Sequence, residues 1–205
     1  MIDFVIQMIG SRPIEIIAVF CGLINVTLVV KRSIWNYPFG IIMVSLYAKI
    51  FYEHQLYSDA ILQIYFFFFQ FYGLYYWLKG KSVDGKVLVI PLATKRFQTY
   101  LALALIVWIV WSYTMGQLTD ASFPYWDGAI AVLSMLAQFL LARKHLENWY
   151  LWIMVNILAI GLFSVKNLQP TAALYCVFLV LSIIGLVKWR KSLAQQTSTE
   201  NKSST

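Results

Sequence analysis

The chain has 205 residues, 60% of them hydrophobic and 12% charged, with a formal net charge of +7 and a mean hydropathy of +0.70. Soluble domains carry about 25% charged residues, so this balance excludes an ordinary soluble fold and points to an all-α polytopic membrane protein. Cys21 and Cys176 both fall inside apolar segments without metal-ligand spacing and read as small core residues.

Seven segments are predicted to span a bilayer. The N-terminal stretch 1–13 lacks the basic start, short apolar run and cleavage site of a signal peptide. The first span, about Ile14–Val30, begins after Ser11-Arg12-Pro13, with proline where a helix start tolerates its missing N–H. The second, about Asn36–Phe51, is short, and Lys49 near its end snorkels to the interface. The third, about Leu56–Leu78, is rich in aromatics, including Phe66 to Phe69. The polar stretch 79–96, with Gly80, Gly85 and Pro91, is the longest loop. The fourth span is about Phe97–Met115, and a second set of three fills 121–190: about Ala121–Ala142, Leu146–Val165 and Thr171–Val187. The polar tail 191–205 is expected to be disordered.

Charge sets the orientation. With seven spans, one side receives Lys31, Arg32, Lys79, Lys81, Lys86, Lys95, Arg96, Arg143, Lys144, Lys188, Arg190, Lys191 and Lys202, and the other only Arg12 and Lys166. The positive-inside rule places the C-terminus in the cytoplasm and the N-terminus outside. Basic residues spread over several loops in this way argue against a nucleic-acid partner.

The sequence repeats internally. Residues 36–79 laid on 148–191, an offset of 112 without a gap, share twelve identities, among them Asn36/Asn148, Gly73/Gly185 and Trp77/Trp189. The offset also pairs Glu15 with Asp127 and Lys31-Arg32 with Arg143-Lys144. Two three-helix copies, 14–78 and 121–190, joined by a linker helix at 97–115, make a 3+1+3 plan with parallel repeats. Transporters built this way hold their substrate between repeats near mid-membrane.

Within the sixth span, Trp149, Trp152 and Asn156 stand at i, i+3 and i+7, on one helical face. Such a face suits a flat, partly polar ring ligand. It also suits an interfacial anchor, a packing indole and an interhelical amide bond. Gln138, Asn25 and Gln70 lie on the inner side of the middle and Gln63 on the outer side, and each amide is either a ligand contact or helix–helix glue. Glu15, Asp59 and Asp127 sit near outer helix ends, as caps or as attractors of a cationic solute. His54 and His145 fall at opposite faces, so they form no joint metal site. No nucleophile–base pair suggests an enzyme, and no cofactor or metal is implied.

The runs Asn36-Tyr37-Pro38-Phe39-Gly40, Gln55-Leu56-Tyr57-Ser58-Asp59, Tyr72-Gly73-Leu74-Tyr75-Tyr76-Trp77, Phe123-Pro124-Tyr125-Trp126-Asp127 and Ala142-Arg143-Lys144-His145-Leu146-Glu147-Asn148-Trp149 resemble the bacterial Pnu vitamin-transporter family over about residues 14–190. The most specific mark is the W-x-x-W-x-x-x-N pattern of Trp149, Trp152 and Asn156. The resemblance implies a fold related to the SWEET sugar transporters, a homotrimer in the bacterial inner membrane, and facilitated diffusion of nicotinamide riboside with trapping by a cytoplasmic kinase. Thiamine is the alternative vitamin, carried by close relatives of the family. On this reading the Trp149–Trp152–Asn156 face holds the vitamin, and Tyr37 joins the amides as a candidate contact.

Overall fold

A computed structural model of the chain describes residues 13–53, 57–80, 87–118 and 123–203. Among them are seven α-helices: α1 Pro13–Val30, α2 Asn36–Glu53, α3 Tyr57–Leu78, α4 Thr94–Leu118, α5 Pro124–Ala142, α6 Asn148–Val165 and α7 Gln169–Ser203. The all-α expectation holds, and each expected segment has its helix. His54, Gln55, Leu56, Lys81 and Lys86 lie outside the described residues.

Length and composition let α1, α4, α5, α6 and α7 cross a membrane. The helices α2 and α3, about 27 and 33 Å long at 1.5 Å per residue, also match the roughly 30 Å hydrocarbon core. Their composition is less apolar: α2 carries Asn36, Lys49 and Glu53, and α3 carries Gln63, Gln70 and a run of tyrosines. Apolar residues are exposed over most of the circumference of α4, among them Leu103, Leu105, Ile106, Val107, Ile109 and Val110, as expected of a helix turned to lipid.

The helix α7 departs from the expected disorder after residue 190: it continues without a break to Ser203. Residues 188–203 hold no glycine or proline, and extending a helix that already exists avoids the cost of nucleation. Cys176 also departs from expectation, since it lies exposed on α7 whereas Cys21 is buried.

The chain divides into two compact units at Val87/Leu88, so α1–α3 form one and α4 groups with α5–α7 in the other. In the first unit α2 packs on both α1 and α3; in the second, successive helices from α4 to α7 pack on each other. The segment after Val87 is not free loop. Ile90 N–H donates to the Lys144 carbonyl (3.0 Å), Leu146 N–H donates to the Ile90 carbonyl (3.2 Å), and Leu92 N–H donates to Glu147 Oε2 (3.0 Å).

Local geometry recurs between the units at the 112-residue offset. Asn36 Nδ2 donates to the Ser33 carbonyl at 2.7 Å, and Asn148 Nδ2 to the His145 carbonyl at 2.6 Å. Tyr37 meets Trp77 edge-on, with centroids 5.4 Å apart, and Trp149 meets Trp189 edge-on at 5.6 Å. Arg32 and Lys144 both take the left-handed backbone conformation, with φ of 56° and 65°. Gly73 lets the Tyr37 ring approach the α3 backbone, and Gly185 does the same for the Trp149 ring on α7.

Candidate functional site

In the second unit, helical periodicity brings Trp149, Trp152 and Asn156 to one side of α6, but their surroundings differ. Trp149 is 2% exposed and wedged between Gly185 and the edge of Trp189, both on α7. It therefore sets the contact between α6 and α7. Among the described residues its Nε1 finds no acceptor, and a buried unmade hydrogen bond costs about 1–3 kcal/mol. Trp152 is only partly buried and packs against the cluster that Ala137 and Leu140 of α5 form with Leu151 of α6. It keeps indole surface for another partner.

Asn156 is buried near the middle of α6. Its Nδ2 donates to Ser182 Oγ on α7 at 3.1 Å, and Ser182 Oγ donates to the Phe178 carbonyl at 2.8 Å. Gln138 is buried on α5, the helix that carries the Trp152 contacts. An amide in the apolar interior of a membrane needs protein, water or ligand as partner.

In the first unit the candidates serve packing more visibly. Asn25 Nδ2 donates to the Asn36 carbonyl at 2.8 Å, which ties α1 to the start of α2. Tyr37 is buried against Gly73 and Trp77. The Gln70 amide lies against Gly40, its carbon, nitrogen and oxygen each 2.7 Å from where a Cβ would stand. Gln63 is half-buried on α3.

The end of the second unit away from the α5–α6 turn is clamped. Trp126 Nε1 donates to the Leu158 carbonyl (2.9 Å), and the indole lies over Gly161. Lys166 Nζ reaches both carboxylate oxygens of Asp127, at 3.1 and 3.3 Å. Asp127 thus pairs with Lys166, and its side chain stays 44% exposed. Sequence reasoning missed Ser182. The repeat carries a signal for it, since the offset pairs Ser182 with Gln70, another polar residue inside an apolar helix.

At the basic end, His145 closes the α5–α6 turn, its ring Nδ1 3.3 Å from the Ile90 carbonyl. Burial holds its pKa below the usual histidine value, against the opposing pull of that carbonyl and Glu147; Arg143 and Arg96 add to the lowering. Burial also lowers the pKa of Lys144.

A family model described as nicotinamide mononucleotide transporter matches residues 12–191. The nicotinamide riboside transporter PnuC of Escherichia coli K12 is 28% identical over 90% of this chain and 88% of its own length. The protein of the same name from Neisseria mucosa is 33% identical, over 85% of this chain and 71% of its own. A riboflavin/roseoflavin transporter, RibM of Streptomyces davaonensis, is 27% identical over 82% and 80%. Among solved structures, the crystal structure of the vitamin B3 transporter PnuC is similar with a TM-score of 0.78 and 28% identity, over 94% of this chain and 87% of that one.

Proposed function

This chain belongs to the nicotinamide mononucleotide transporter family, and from that premise we propose that it carries nicotinamide riboside across the bacterial inner membrane by facilitated diffusion. The observation that carries the reading is the pairing of a partly open indole, Trp152, with a buried mid-helix amide, Asn156, one turn further on. The pyridinium ring of nicotinamide riboside is a cation, and an indole face attracts a cation by about 0.5–2 kcal/mol. The amides of Asn156 and Gln138 suit the carboxamide and the ribose hydroxyls. Trp149 acts in this reading through the α6–α7 contact. Asn25, Gln63, Gln70 and Tyr37 are the first unit's candidate contributions.

The recurrence of the asparagine, aromatic and glycine contacts at one offset supports a 3+1+3 arrangement of seven spans, α4 being the linker. The distribution of Lys and Arg supports a cytoplasmic C-terminus, which an impermeant thiol reagent tests on a cysteine placed at Lys79. Homotrimeric assembly and trapping by a cytoplasmic kinase complete the proposal. The riboflavin/roseoflavin transporter makes riboflavin the second ligand to test; thiamine has no such counterpart among the relatives named above.

Calorimetry on purified variants tests the site. Trp152→Ala removes ring contact and burial together, a loss of about 2–4 kcal/mol or roughly 30- to 1000-fold in affinity. Trp152→Phe retains part of it, because phenyl is the weaker partner for a cation. Met154→Leu, on the exposed side of α6, stays within a few-fold of the parent protein. Folded Trp152→Ala and Asn156→Leu proteins that bind nicotinamide riboside like the parent would refute the assignment.

A further inference from the structure

We infer that Ser182 is a positioning residue: it fixes which end of the Asn156 amide faces the ligand, so that the site offers an acceptor and selects ligands that bring a donor. The inference rests on Asn156 belonging to the ligand face proposed above.

Ser182 Oγ lies 2.8 Å from the Phe178 carbonyl, one turn back on α7. A carbonyl oxygen cannot donate, so the hydroxyl proton is committed to that bond. Ser182 Oγ then has only lone pairs left for its second neighbour, the Asn156 amide at 3.1 Å. Only the NH2 limb of an amide can donate, so Nδ2 must be the limb turned toward α7. Oδ1 therefore projects from the opposite limb of the planar group, and it makes no hydrogen bond among the described residues. An asparagine without such a neighbour can exchange its two limbs by rotation of χ2 and present donor or acceptor as the ligand requires. With Ser182 in place it presents an acceptor.

The fold itself does not need this pair. Both residues are buried, yet at the 112-residue offset their counterparts are Val44, fully buried, and Gln70, which packs on Gly40. The first unit thus builds the same helix pairing without an amide–hydroxyl bond. The second unit spends two buried polar side chains on it, at a depth where apolar residues serve packing equally well.

The consequence is selectivity at one group of the solute. Four residues of helix separate Trp152 from Asn156, about 6 Å along the axis. A heterocycle on the indole thus brings its carboxamide or a ribose hydroxyl within reach of Oδ1. The test measures binding of nicotinamide riboside and three analogues that each lose a donor but keep an acceptor at the same group: the methyl ketone in place of the carboxamide, the 2′-O-methyl riboside and the 3′-O-methyl riboside. The parent protein is expected to bind at least one analogue about 5-fold more weakly than nicotinamide riboside, the usual size of one hydrogen bond. Ser182→Ala is expected to bring that ratio within 2-fold, because the freed amide can rotate. Ser182→Thr, which keeps the hydroxyl, is expected to preserve it. A Ser182→Ala protein that weakens all four ligands by a common factor, with the ratio intact, reduces Ser182 to packing and overturns the inference. So does a parent protein that binds all three analogues like nicotinamide riboside. An Asn156→Leu protein that binds like the parent instead removes Asn156 from the site, and the proposed ligand face falls with it.

Discussion

Gly185→Ala sets two effects of opposite sign against each other on α7. A Cβ at this position would stand 2.5 Å from Cη2 and Cζ2 of Trp149 and 2.6 Å from Cζ3. Carbon atoms pack at about 3.5–4.0 Å, so the indole or the helix must move by about 1 Å. The ring has no easy escape, being 2% exposed and held edge-on by Trp189. Overpacking of this kind costs about 1–3 kcal/mol and here belongs at the upper end. Against it, alanine in a helix interior is better than glycine by about 1 kcal/mol. The net expectation is destabilisation by about 2 kcal/mol, read by denaturant or thermal unfolding in detergent micelles. Parting α6 from α7 also stretches the Asn156–Ser182 bond, so affinity for nicotinamide riboside falls with stability. In a Trp149→Ala background the clash is gone, and the same Gly185→Ala change is expected to reverse sign and stabilise by up to about 1 kcal/mol. Stabilisation by Gly185→Ala in the parent protein, or an equal cost in both backgrounds, would show that Trp149 does not set the α6–α7 contact.

Gly116→Ala on α4 is the counterpart with room to spare: the added Cβ meets Pro124 at 3.4 and 3.7 Å, so helix propensity wins and the unfolding midpoint rises by the equivalent of about 0.5–1 kcal/mol. Asn167 ends α6 in the left-handed region at φ 58°, where Leu168 N–H caps the Phe163 carbonyl at 2.8 Å. Asn167→Ala should cost about 1 kcal/mol in the same unfolding assay, and Asn167→Gly should not. His145 has a folded pKa below its unfolded one, so its neutral form is the one the fold favours. Its contribution is complete above the ordinary histidine pKa near 6.5 and drains as pH falls through the lowered folded value. The unfolding midpoint should therefore drop more steeply between pH 7 and 5 in the parent than in His145→Gln. Finally, the only basic residue within the expected spans is Lys49, near the end of α2 and within 3.9 Å of Glu53. Uptake into liposomes is expected without any ion gradient, and strict dependence on protons or sodium would overturn facilitated diffusion.

Segments with strong apolar character were legible in the sequence because burial in lipid leaves a direct compositional trace. Thr94–Leu118 and Pro124–Ala142 fall within three residues of the expected boundaries for that reason. The end of α7 was not legible in the same way. Hydropathy marks where lipid stops, whereas the helix stops where its hydrogen bonds do, and nothing between Lys188 and Ser203 interrupts them. The docking of Ile90 on the α5–α6 turn was also hidden, because it uses backbone groups that every residue carries, whereas the Glu147 carboxylate that holds Leu92 N–H is a side-chain signal. Trp149, Trp152 and Asn156 were legible as a face, but their spacing could not say that the first packs on a glycine and only the second keeps open ring surface.

That distinction becomes readable once the two units are compared position by position. Where the offset pairs like with like, the structure finds scaffold: Asn36 and Asn148 close equivalent turns, Trp77 and Trp189 back equivalent aromatic knobs, and Gly73 and Gly185 admit them. Three of the pairs that differ inside the helices are those of the proposed ligand face and its orienting bond. Trp152 replaces Gly40, Asn156 replaces Val44, and Ser182 replaces Gln70. The three second-unit residues are those that the proposed ligand face would use. On this logic Trp149 groups with the scaffold, since its counterpart Tyr37 sits in the same contact, and Trp149→Tyr should be tolerated far better than Trp152→Tyr. Comparing nicotinamide riboside affinities of the two variants decides it. Equal losses would place both indoles against the ligand and break the link between divergence and function.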